Sequence, residues 1–106
     1  MSKSQNEEEY QDKLADDRKI NLVLGQNLCK ARENARTPKG WAVAFSWLSY
    51  VTTLHNSSIR RFEQGANGMT VANLVRLKEA LGCSWNDLLD GCESELVKSR
   101  KPHLKK

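Results

Sequence analysis

The chain has 106 residues, 39% of them hydrophobic, and a formal charge of +4; that length fits one small domain with tails and argues against two. No apolar run approaches the ~18–20 residues of a membrane span, and the polar N-terminus does not read as a signal peptide, so a cytoplasmic protein is expected. Cys29, Cys83 and Cys92 are odd in number and form no C-x-x-C pair, which argues against a disulfide framework or a zinc site. Cys29 and Cys83 read as small buried apolar residues.

Charge is unevenly placed. Residues 1–19 carry four basic and six acidic side chains, residues 20–92 eight and five, and residues 93–106 five and two. A basic body and tail suit an anionic partner, nucleic acid being the commonest. They equally suit a solvated surface, so charge alone does not decide.

In chain order, residues 1–19 read as an acidic arm, flexible or loosely docked, with Tyr10 and Leu14 its only large apolar residues. Asp16 or Asp17 is expected to cap a helix from about Arg18 to Ala35, with Ile20, Leu24, Leu28, Ala31 and Ala35 along its core face. Thr37-Pro38-Lys39-Gly40 breaks that helix. A second helix over 44–52 places Ala44, Leu48 and Val51 on one side and Trp47 and Tyr50 on another. A tight turn leads to a third segment, Leu54 to Gly65, which is the most informative in the chain. Ile59 and Phe62, spaced i, i+3, share one helix face, leaving Ser57, Arg61 and Gln64 on the opposite one. An apolar back with a cationic, hydrogen-bonding front suits a polyanionic groove, and two short helices so joined form a helix-turn-helix. Gly65 turns the chain out.

Thr70 caps a fourth helix of about 71–81, with Val71, Leu74, Leu77 and Leu81 expected on its buried face and Gly82 at its end. Ser84 caps a short fifth helix whose Trp85, Leu88 and Leu89 are expected to point inward. The pattern runs on through Cys92 and Leu96, although Gly91 weakens any single longer helix. Residues 93–106 read as a basic tail. The expected class is all-α.

Three stretches taken together carry a resemblance: Leu24-Gly-Gln-Asn-Leu-Cys-Lys-Ala-Arg32, Leu48 to Gly65, and Leu74-Val-Arg-Leu-Lys-Glu-Ala-Leu-Gly82 followed by Ser-Trp-Asn-Asp-Leu-Leu89. Over about residues 20–90 the chain resembles the lambda-repressor-like, Cro/cI-type helix-turn-helix (XRE) family. The resemblance implies a compact five-helix DNA-binding domain over 20–92, with helices 2 and 3 as the helix-turn-helix. It implies base contacts from Asn56, Ser57 and Arg61, with Arg61 suited to guanine O6 and N7 and Asn56 to adenine N6 and N7. Arg60, Gln64, Asn67, Arg36 and Lys39 fall where phosphates are contacted. Arg32 and Glu63 match an internal ion pair between helices 1 and 3; losing one partner of such a pair costs ~3–5 kcal/mol when the other stays buried.

The chain departs from the family pattern in three places. Residues 37–41 are inserted between helices 1 and 2, and would either cover the core or form a wing beside the DNA backbone. Thr53 stands where glycine is usual, and a β-branched residue resists positive φ, so a different turn is expected. His55 takes the slot of a capping serine or threonine, leaving Asn56 as an alternative cap. Trp47 and Tyr50 replace solvated residues. Either the insertion or the arm packs over them, or they form a protein-contact surface.

The resemblance implies a sequence-specific regulator of transcription, simplest as a repressor binding double-stranded DNA as a homodimer on a two-fold operator. Its dimer contacts would come from Trp85, Leu89, Cys92 and Leu96. The alternative is an interaction module of the same fold, for instance an antitoxin that autoregulates. Neither His55 nor His103 aligns with a nucleophile or metal ligands, and no glycine-rich phosphate loop occurs; no catalysis, cofactor or metal is expected.

Overall fold

The computed structural model describes the backbone of residues 3–96 and the side chains of residues 10–96. Five α-helices follow in order: α1 (Lys3–Asn34), α2 (Phe45–Thr52), α3 (Asn56–Glu63), α4 (Val71–Leu81) and α5 (Trp85–Leu89); a 3₁₀ turn covers Glu93–Glu95. No helix among the described residues is long and apolar enough to cross a membrane. The basic tail expected from Lys98 to Lys106, with His103, lies outside the described residues.

Leu28, Leu48, Ile59, Leu77 and Leu88 are each 0% exposed. One comes from each helix, so the five helices share a single core. Burying each such side chain contributes about 1.5–3 kcal/mol. Val43, Phe62 and Leu81 join the cluster, with Leu24, Ala31, Ala35 and Leu74 packed at its margin. Helix α1 lies against α3 and α5, while α2 lies against α3 and α4. The third helix is thus held between α1 and α2.

Several expectations are corrected. Helix α1 does not begin at Arg18: its 32 residues run without a break from Lys3. Asp16 and Asp17 therefore lie inside a helix rather than cap one. The Glu, Gln, Lys, Leu and Ala residues of this stretch favour helix despite its charge, and Lys13 bonds Asp17 at 2.8 Å across one turn. Ala44, the N-cap of α2, and Val51 within it face solvent, and Thr52 is buried beside Leu48. Thr52 suits the core because its hydroxyl donates to the Leu48 carbonyl at 2.6 Å. Val71 is 75% exposed, since it opens α4 directly after the Thr70 cap, whose side chain accepts from Asn73 N. Trp85 opens α5 in the same way, and neither it nor Leu89 is buried. Of the cysteines, Cys92 is the buried one; Cys29 and Cys83 are half-buried.

The inserted residues close into a small hairpin. Arg36 and Ala42 form an antiparallel bridge. Within it Thr37 N donates to Trp41 O and Gly40 N to Thr37 O, both at 2.8 Å. Thr37 is buried at the base, where its Oγ1 accepts from Trp41 N at 3.1 Å. Pro38, Lys39 and Gly40 form the exposed tip.

Candidate nucleic-acid interface

The turn between α2 and α3 is built from hydroxyls. Thr53 takes the left-handed conformation, φ 61° and ψ 18°, so the expectation of a differently shaped turn fails. The steric cost of a β-branched residue there is about 1–2 kcal/mol, and neighbouring bonds hold it. Thr53 Oγ1 donates to Thr52 O at 2.5 Å, Leu54 N donates to Thr52 Oγ1 at 3.3 Å, and the Ser49 hydroxyl donates to Leu54 O. His55 is the N-cap of α3, with no side-chain capping bond. Asn56 is therefore the first residue of the helix and not its cap, and its side chain stands exposed.

Behind α3, Ile59 is 0% and Phe62 7% exposed. Its C-terminal end meets α1 closely. A Cβ on Gly25 would lie 2.3 Å from the Phe62 carbonyl oxygen and 2.6 Å from that of Glu63. Gly65, at φ 72°, would place a Cβ 2.7 Å from Leu22 Cα. Both sites therefore demand glycine, Gly65 also by its backbone angle. Next to this contact Arg32 grips Glu63 with two bonds, Nε to Oε2 at 2.7 Å and Nη2 to Oε1 at 3.1 Å, a planar fork that fixes angle as well as distance. Arg32 Nη1 also donates to Val43 O at 3.3 Å. The bond to Glu63 holds the guanidinium pKa above its ordinary value.

On the front, Asn56, Ser57, Arg60, Arg61 and Gln64 are all exposed. Arg61 does not stand alone. With the Asn67 amide oriented to satisfy its neighbours, its oxygen accepts from Arg61 Nε at 3.2 Å and its nitrogen donates to Ala66 O at 2.9 Å. Asn67, expected as a phosphate contact, is placed where it steadies Arg61 and leaves both Nη groups free of that bond. Arg60 is steadied too, with its guanidinium 4.8 Å from the Phe45 ring centroid; Arg32 lies 4.2 Å from the same ring. Because Glu63 neutralises Arg32, Arg60 carries the unbalanced charge of this stack.

The remaining expected positions behave differently. Arg36 Nη1 donates to Glu33 O at 2.9 Å and Ala35 O at 2.7 Å, closing the end of α1 as cations commonly do. Lys39 lies 5.2 Å over the Trp41 ring at the hairpin tip. Trp47 packs against the core while Tyr50 is 82% exposed, so the pair does not form one surface. Of the expected dimer residues, Trp85 and Leu89 are accessible beside an open groove of about 980 Å³ between α1 and α5. Leu96 is half-buried. Cys92 is corrected: it is 8% exposed, enclosed by its own chain.

Sequence reasoning overlooked four things. Phe45 carried no motif, and Gly25 lay in the Leu24–Arg32 stretch with no role of its own. Asn27, whose Nδ2 donates to Leu88 O and Asp90 O at 2.8 Å each, ties α1 to the end of α5. The fourth was readable in the chain: between Glu33 and Glu63 there is no acidic residue, while Arg36, Lys39, Arg60 and Arg61 all fall there. The hairpin, α2 and α3 as far as Phe62 thus carry cations and no carboxylate, and the Glu63 that ends α3 is paired with Arg32. No group of acidic, histidine and cysteine side chains suited to a metal occurs among the described residues. Cys29 Sγ lies 3.1 Å from Glu33 Oε1, and that contact, with burial, pushes its pKa up to about 11, the opposite of an activated thiol.

No protein-family model, curated protein or solved structure matches the chain.

Proposed function

We propose that the chain is a sequence-specific DNA-binding regulator of transcription of the lambda-repressor-like kind, a repressor that binds a two-fold operator as a homodimer. The observation that carries this reading is the division of α3. Ile59 and Phe62 are buried against the core, and Asn56, Ser57, Arg60, Arg61 and Gln64 stand exposed on the other faces. An α-helix with its side chains is about 10–12 Å across, which fits the ≈12 Å width of the major groove. In this reading Asn56, Ser57 and Arg61 read base edges, while Arg60 and Gln64 bind phosphates that set the register. Trp85 and Leu89, accessible beside the α1–α5 groove, supply the apolar contact between copies, placing half-sites ~34–36 Å apart.

Selection from random duplexes followed by binding titrations at several salt concentrations tests the reading. Enrichment of a palindrome is expected, and Arg61→Ala should cost ~1–3 kcal/mol and relax one base position. An Arg61→Ala protein with unchanged sequence preference, or a failure to enrich any duplex, would refute it.

A further inference from the structure

We infer that the 36–42 hairpin is a second DNA-contacting element, whose Lys39 and Trp41 seat on the sugar–phosphate backbone flanking the groove that α3 enters. This rests on the DNA-binding reading and extends it to residues outside the helix-turn-helix. The hairpin is a built feature. Its bridge and its two 2.8 Å backbone bonds close the hairpin, and the buried Thr37 anchors its base. Its tip exposes what a closed connection would hide: Trp41 is 64% exposed, with the Lys39 ammonium 5.2 Å from its ring. An indole with an apolar body and one N–H donor, beside a cation, matches a deoxyribose next to a phosphate.

Placement relative to α3 follows from the chain leaving the hairpin. Val43 O is held by Arg32, the residue that grips Glu63 of α3, and Phe45 carries Arg60 of α3 on its ring. From Phe45 to Lys39 the chain spans at most ~20 Å when extended, so the tip stays within reach of the strand bordering an ≈12 Å groove. Charge favours the same partner. No carboxylate lies between Glu33 and Glu63 to oppose a phosphate, and four cations do. A second copy docking through the same face would oppose these cations with its own.

The test compares two duplexes carrying the selected operator, one ending at its edges and one extended by about six base pairs on each side, at several salt concentrations. The full chain should bind the longer duplex roughly tenfold more tightly, with a salt slope steeper by ~0.9 per added phosphate contact. A Lys39→Ala/Trp41→Ala protein should match wild type on the short duplex and lose the gain on the long one, and Lys39→Arg/Trp41→Phe should recover most of it. Lys39→Gln alone, at the open tip, reports the slope change even where the double variant folds poorly. If the wild type gains nothing from the flanks, or the double variant keeps the gain, the inference fails while short-duplex binding preserves the proposed function. Binding to neither duplex removes both. Loss of self-association in Trp41→Ala with the flank gain intact assigns the tip to a second copy and overturns the inference.

Discussion

The C-terminal end of α3 lies so close to α1 that a Cβ at Gly25 would sit 2.3 Å from the Phe62 carbonyl oxygen, and Arg32 grips Glu63 beside it at 2.7 Å. The N-terminal end follows a threonine at φ 61° and starts from a histidine that makes no capping bond. The angle at which α3 presents its front is therefore set where the helix ends. Where it begins, the chain carries local strain and an unused cap. Changes at the tight end should be costly, and well-chosen changes at the loose end should be gains.

The largest effect is expected at Gly25. In an open helix glycine is worth ~1 kcal/mol less than alanine, so a substitution here would stabilise if there were room. The opposing atoms are backbone carbonyls, which cannot swing aside, and overpacking ordinarily costs ~1–3 kcal/mol. Gly25→Val should cost more than ~3 kcal/mol and Gly65→Ala somewhat less, both seen as earlier thermal unfolding. A Gly25→Val protein melting with the wild type would mean that α1 and α3 are not in backbone contact.

Arg32→Ala comes next. Glu63 keeps only 7% of its side-chain exposure in the pair and Arg32 keeps 17%, which places the loss near the lower end of the ~3–5 kcal/mol expected for stranding one partner. DNA affinity should fall together with the melting temperature, because Arg32 also holds Val43 O and stacks on the ring that carries Arg60. Arg32→Lys should recover charge without the two-pronged geometry, and so part of the stability only. Unchanged melting in Arg32→Ala would dissolve the distinction between the two ends.

How much of this was legible depends on whether the signal was periodic. The burial of Ile59 and Phe62, the caps at Thr70 and Ser84 and the stop at Gly82 followed from spacing and residue type, because a helix repeats its faces and its ends favour few residues. At the ends of short helices the rule failed. Val71, Trp85 and Leu89 were expected inside and Thr52 was assigned to no face, since the terminal residues of a helix have few neighbours to define a face and a hydroxyl bonded to its own helix can enter a core. Composition left the acidic arm open between a flexible segment and a loosely docked helix and did not place the start of α1, which continues through it from Lys3. Gly25, Phe45 and Asn27 act through partners remote in sequence. No local pattern encodes a partner.

At the loose end, His55 offers a gain of intermediate size. Serine in this slot should accept from a backbone N–H of the first turn of α3 and add about 1 kcal/mol. His55→Asp should stabilise the free protein at least as well, its charge favoured at the positive end of the helix, yet weaken DNA binding by bringing a carboxylate beside phosphates. His55→Ser and His55→Asp therefore separate the stability of α3 from its function. Equal DNA affinity in the two proteins would place the start of α3 away from the DNA.

The smallest expected change is at Thr53, and it bears most directly on the comparison. Asparagine enters the left-handed region more readily than a β-branched residue, so Thr53→Asn should relieve part of the strain, for a gain of about 0.5–1 kcal/mol. The Thr53 hydroxyl bonds only the carbonyl of the preceding residue, and the Ser49, Thr52 and Leu54 bonds that shape the turn do not involve it. The turn should therefore keep its form, and DNA affinity should stay within twofold of wild type while melting rises. A fall in affinity with the rise in melting would show that the threonine conformation tunes the angle of α3 from its N-terminal end, contrary to control from Gly25 and Glu63. A fall in both would show that its side chain supports the turn in ways the hydroxyl bond alone does not explain.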